Sequence, residues 1–166
     1  MNIRNIVPAL LLSFVAVSAA AEDIKIPAKN PVITVTIPDS WKPEQIKTGA
    51  ACESPDKVVT ILFEIAASEK GISSLIDENM DWLVKEQGIK FNAEAKDNPE
   101  FSVGGIKSTL KSYHATSKEF GPANVGFIFT PVGDKVLITT YRITVQGFEK
   151  HDATMTTIMD SVRPAK

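Results

Sequence analysis

In the stretch PVITVTIP, Ile33, Val35 and Ile37 alternate with Thr34 and Thr36, the period of a strand with one buried face. Pro38-Asp39-Ser40 supplies turn chemistry after it, and Trp41 follows as a large apolar plug at the strand end. A second strand is predicted from Ile46 to Cys52. Ser54-Pro55-Asp56-Lys57 then reverses the chain, because proline fixes φ and aspartate can bond its own downstream backbone. The returning strand, Val58 to Ala66, places Val59, Ile61, Phe63 and Ile65 on one face, with Val58 and Leu62 making the other partly apolar. Both faces of this strand need cover.

From Ile72 the period lengthens. Ile72, Leu75, Ile76, Met80, Leu83 and Val84 fall at helical spacing, Asp77, Glu78, Asp81 and Lys85 occupy the outside, and Gly88 is placed to end the helix. Alternation returns near Ile89–Ala95, then over 106–116, 124–130 and 135–146, joined at Asn98-Pro99, Gly121-Pro122 and Pro131-Val132-Gly133-Asp134. The last segment, from Phe148 to Val162, sets Phe148, Met155, Ile158, Met159 and Val162 along one helical stripe that Pro164 stops. Strands and helices do not alternate strictly, so the order predicts an α+β domain whose helices cover a largely antiparallel sheet.

The N-terminus changes which residues belong to that domain. One positive charge, Arg4, precedes an apolar run from Ile6 to Val17, and Ala19-Ala20-Ala21 gives a small-x-small cleavage pattern. Residues 1–21 are therefore expected to be a signal peptide and 22–166 a single domain. No cysteine follows the cleavage region to carry a lipid anchor, and no second apolar run could span a membrane after cleavage. About 145 residues remain, enough for one core that buries roughly two thirds of the unfolded surface. Without Arg4 the chain holds 17 basic against 20 acidic residues, a net charge of −3, with the lysines scattered among acids. That balance argues against a nucleic-acid surface. An exported chain with one cysteine can form no internal disulfide.

The stretches ITVTIPDSW, IKTGAACESPDKVVTILFEIA, KVLITTYRITVQ and MDSVRP, with the amphipathic helix between them, resemble the PsbP-like superfamily. That group includes DcrB-type periplasmic proteins, extrinsic photosystem PsbP proteins and the Ran-binding Mog family. The resemblance spans nearly the whole mature chain and implies an α-β-α sandwich, with binding or assembly rather than catalysis as the role of most members. It carries no metal-binding or partner-binding residue onto this sequence.

Candidate chemistry is sparse. Cys52 has Glu53 and Asp56 as neighbours, whose charges would raise a thiol pKa, so a small hydrophobe is the expected reading over a nucleophile. His114 shares a strand face with Leu110 and Ser112, and His151 beside Asp152 reads as a solvated residue in the first turn of the last helix. The two histidines are not at ligand spacing, no G-x-S-x-G elbow is present, and Gly104-Gly105 reads as a tight turn rather than a phosphate cradle. No cofactor or metal is expected. Three functions follow. The favoured one is a non-enzymatic periplasmic binding or assembly protein of the envelope, whose partner could meet the acidic helix face at Asp77, Glu78 and Asp81. The second is binding of a small lipophilic ligand near Trp41, Trp82, Phe127 and Phe129, residues for which core packing is the competing explanation. The third is a hydrolytic enzyme using His114.

Overall fold

The computed structural model describes residues 20–95 and 100–165. The proposed leader, apart from Ala20 and Ala21, and the Asn98-Pro99 turn lie outside them. Strands β1 (Ala21–Ile26) and β2 (Ile33–Pro38) form an antiparallel pair, and a short 3-10 turn (Asp39–Trp41) follows. Then come β3 (Glu44–Ile46), β4 (Gly49–Glu53), β5 (Val59–Ala66) and helix α1 (Glu69–Lys85). The second half runs β6 (Ile89–Glu94), β7 (Phe101–Val103), β8 (Ile106–Ser117), β9 (Gly121–Val132), β10 (Lys135–Thr144), α2 (Val145–Asp160) and β11 (Arg163–Pro164).

Eight strands make one sheet in the order β3-β4-β5-β10-β9-β8-β6, with β7 also paired to β8, while β1-β2-β11 makes a second, smaller sheet. Every pairing among the described residues is antiparallel. The domain is thus α+β. β5 sits inside the large sheet, and its two apolar faces are covered as its sequence requires. Val59, Ile61 and Phe63 pack in one cluster with Ile26, Val35 and Ile37 of the small sheet and Ile158 and Met159 of α2. Ala66 joins Leu75 of α1 and Ile138 on the opposite face, where Leu83 meets Val125 and Phe127. Helix α1 therefore covers one face of the sheet, and α2 with the small sheet covers the other.

Local chemistry explains the boundaries. Ser68 caps α1 by accepting from Gly71 N at 3.1 Å, and Thr144 caps α2 by accepting from Gly147 N at 2.9 Å. Gly133 at φ 62° closes the two-residue β9–β10 hairpin. Gly104 and Gly105, both at positive φ, turn β7 into β8 as their sequence suggests.

Several expectations are corrected. β1, β7 and β11 were not legible in the pattern: β1 buries only Ile24 and Ile26, and the other two are three and two residues long. The strand expected over Ile46–Cys52 is two strands, because the chain turns between Ile46 and Gly49. The last helix begins at Val145, not Phe148, and ends at Asp160; Pro164 lies beyond it, paired with Ile33 in the small sheet. Val84 and Phe148, placed on buried stripes by spacing, are 49% and 54% exposed.

Candidate functional site

Past its capped first turn, α2 runs over strands β8, β9 and β10 and leaves a cleft of about 340 Å³ between helix and sheet. Gly147 anchors that first turn, since a Cβ there would lie 2.9 Å from Val58. Phe148, Asp152, Met155, Thr156 and Met159, spaced three and four residues apart, present one face of α2 to the cleft. The sheet contributes Ile128 and Ile143 as apolar floor and Ser112, His114, Asn124 and Tyr141 as polar groups. Ala95 and Phe101 close one side.

The floor depends on a glycine. A Cβ on Gly126 would lie 2.2 Å from the ring of Tyr141, its cross-strand partner, so only glycine lets that ring lie flat over β9. Burial pushes the Tyr141 phenol above its ordinary pKa. His114, exposed at the mouth, has Nδ1 3.1 Å from the amide oxygen of Asn124. Its partner is thus an amide, while Asp152 belongs to the helical wall. An amide cannot stabilise an imidazolium by charge, as the carboxylate of a catalytic pair does. The cleft offers apolar surface with a few hydrogen-bonding groups, which suits binding of an apolar group with polar edges.

The other predicted candidates do not converge here. Trp41 is buried in the core on the α2 side, where its ring meets His151 edge-on at 5.5 Å. Trp82, Phe127 and Phe129 lie on the α1 side of the sheet, so the four aromatics share no pocket and serve the core. Asp77, Glu78 and Asp81 are exposed on α1; Asp81 pairs with Lys85 at 2.6 Å, and Glu78 accepts from Ser74 at 2.8 Å. Cys52 is 2% exposed in the core, and burial pushes its thiol up to about 12.

His151 corrects its expectation most sharply. It lies in the second turn of α2 and is buried, with Nε2 3.0 Å from both carboxylate oxygens of Asp56. Lys150 Nζ reaches Asp56 at 2.6 Å and Ser54 Oγ at 2.8 Å completes its shell. Burial pushes the Asp56 carboxyl upward, but bonds from Lys150, His151 and Ser54 outweigh it and hold the pKa well below the usual carboxylate range. The pair straps the β4–β5 turn to α2 across 95 residues of sequence, a contact no periodicity encodes.

A polar pocket lies on the opposite face of the sheet, at the C-terminal end of α1. Arg142 of β10, only 2% exposed, donates from Nη2 to the carbonyl of Lys57 at 2.9 Å and to Thr60 Oγ1 at 2.7 Å. Burial pulls its pKa down, with the carboxylates of Glu53 and Glu119 acting against that. Sequence reasoning missed Arg142, although a lone arginine inside the apolar run KVLITTYRIT was a visible anomaly. Among the described residues, no group of three or more His, Cys, Asp or Glu side chains could hold a metal ion. No helix there is long and apolar enough to cross a membrane.

The sequence matches no protein-family model and no curated protein. Solved structures share its fold. The solution structure of cyanobacterial PsbP (CyanoP) from Synechocystis superposes with a TM-score of 0.54 at 7% identity, covering 89% of this chain and 94% of that one. The crystal structure of LpqN, described as involved in cell envelope biogenesis of Mycobacterium tuberculosis, superposes with a TM-score of 0.50 at 10% identity, covering 88% and 92%. The chain therefore has the PsbP-like fold.

Proposed function

We propose that this protein is an exported, non-enzymatic binding or assembly factor of the cell envelope, and that the cleft beneath α2 seats an apolar side-chain cluster of its partner protein. The carrying observation is the cleft itself: Ile128, Ile143, Met155 and Met159 line it, and Phe148 stands 54% exposed beside them. Two methionines in one wall give a surface that adapts to an apolar partner. Val145, also 54% exposed, extends the apolar strip along the start of α2. A leader ending near Ala21 and the fold shared with LpqN support the envelope setting. Small lipophilic ligands are the second reading, favoured by the same apolar floor. A hydrolytic role for His114 is disfavoured by its amide partner.

The test is capture of a tagged copy expressed at native level, with wild type compared to Met155→Trp, which fills the cleft. The expected result is one stoichiometric envelope protein with wild type and its loss with the variant, while both melt alike. Equal capture by a folded Met155→Trp would remove the cleft from the function. Mass spectrometry of the intact protein under native conditions separates the second reading, which requires a bound lipophile.

A further inference from the structure

The pocket around Arg142 is built from ends that the fold brings together: the β4–β5 turn supplies Lys57, β4 supplies Glu53, the C-terminal end of α1 supplies Glu86 and Gln87, and the β8–β9 turn supplies Glu119 and Phe120. Its volume is about 180 Å³, below the range of sites for drug-sized ligands. Arg142 is almost wholly buried, yet its two close bonds both leave from Nη2, and its buried Nε meets no acceptor. Glu53 stands 3.9 Å from Nη2, beyond hydrogen-bonding distance, so it balances charge without saturating the donors. The Phe120 ring lies 5.6 Å from the guanidinium carbon and helps hold the group in place. Nε is sealed off from the pocket, whereas Nη1, which makes no hydrogen bond among the described residues, leaves donors for a carboxylate at the pocket that Arg142 lines.

The rest of the lining has the opposite character. Glu53, Glu86 and Glu119 outnumber the two cations, Arg142 and Lys57, and the last turn of α1 turns the negative end of its dipole this way. A phosphate dianion would meet net repulsion from the rim, and a simple cation would meet Arg142 and Lys57. A ligand carrying both charges a few bonds apart satisfies the whole lining. We propose that this pocket binds a small zwitterion of the α-amino acid class, with its carboxylate on Arg142 and its ammonium among Glu53, Glu86 and Glu119. The site is independent of the cleft beneath α2.

The test is a heteronuclear NMR titration of the purified protein with glycine and alanine, against acetate, methylammonium and inorganic phosphate as probes. The expected result is a saturable shift of the Gln87, Phe120 and Arg142 signals with the amino acids. Acetate and methylammonium, each lacking one charge, should bind about tenfold more weakly or worse. Because Arg142 also ties down the Lys57 turn, the exposed rim is varied instead. Glu119→Gln should weaken glycine several-fold while acetate, relieved of a repelling carboxylate, binds as well as before or better, and the melting temperature stays unchanged. Saturation by acetate or phosphate as strong as by glycine would overturn the proposal in favour of a plain anion site. No saturable shift with any probe would overturn it in favour of a purely structural arginine.

Discussion

Asp56 shows how much one side chain can organise. Its carboxylate receives Lys150, His151 and Ser54, and with Trp41 against the other side of His151 it fixes α2 to the first hairpin. Its folded pKa is depressed, so its contribution to stability is fully present above its unfolded pKa of about 4 and is lost as pH falls through the folded value. Asp56→Asn should therefore lower the melting temperature at neutral pH, and the gap from wild type should close progressively below about pH 4. Thermal melts of both proteins across that range check it; a gap independent of pH would mean that packing, not charge, is what the residue supplies. Cys52 makes the complementary point. Buried and with its thiol pushed up to about 12, it should resist thiol-directed labelling in the folded protein and react only through opened states. Labelling rates across a denaturant series decide this, and fast labelling in buffer would contradict the placement.

At the scale of elements, each helix is attached by polar devices as well as by apolar stripes. Asn79, on the buried face of α1, donates to the carboxylate of Glu64 at 2.6 Å and to Thr140 Oγ1 at 3.0 Å, and Thr48 donates to the other Glu64 oxygen. Glu64 is 3% exposed, so Asn79→Ala, which leaves one of its buried oxygens without this partner, should cost about 1–3 kcal/mol, the penalty of an unsatisfied buried polar group. Val84→Ala on the exposed side of the same helix should stay within about 0.5 kcal/mol. Chemical denaturation of both variants is the comparison. Gly126→Ala should also destabilise, by about 1–3 kcal/mol, because its new Cβ meets the Tyr141 ring. Shortening the partner in Gly126→Ala/Tyr141→Leu should recover part of the loss, which a double-mutant cycle measures.

These same residues mark where sequence reading reached its limit. Period-two alternation was enough to place β2, β5 and β8 through β10, and the amphipathic stripe located α1, since both follow from which positions must be buried. The doubly apolar β5 implied cover on both sides, and the two clusters provide it. Short strands such as β7 and β11 carry too few residues for a period. Pairings such as Asp56 with His151, or Gly126 with Tyr141, depend on register and helix docking, which one chain of letters does not encode. Of the site candidates, only His114 lines the cleft; the apolar wall on α2 was visible as a stripe, but its partial exposure was not.

Taken whole, the molecule has a PsbP-like sheet, and two of the pockets among its described residues lie on opposite faces of it. The large one is mainly apolar and lies under α2; the small one is charged and lies at the end of α1. The acidic face of α1, with Asp77, Glu78 and Asp81, is a third surface, and it competes with the cleft for the role of partner contact. The decisive measurement is in-cell photo-crosslinking with a photoreactive residue at Phe148 in one strain and at Asp81 in another, at native expression level. The account predicts that Phe148 traps one envelope protein and Asp81 traps none or far less. Trapping from Asp81 alone, or from neither position while a control periplasmic complex crosslinks well, would contradict a partner seated in the cleft.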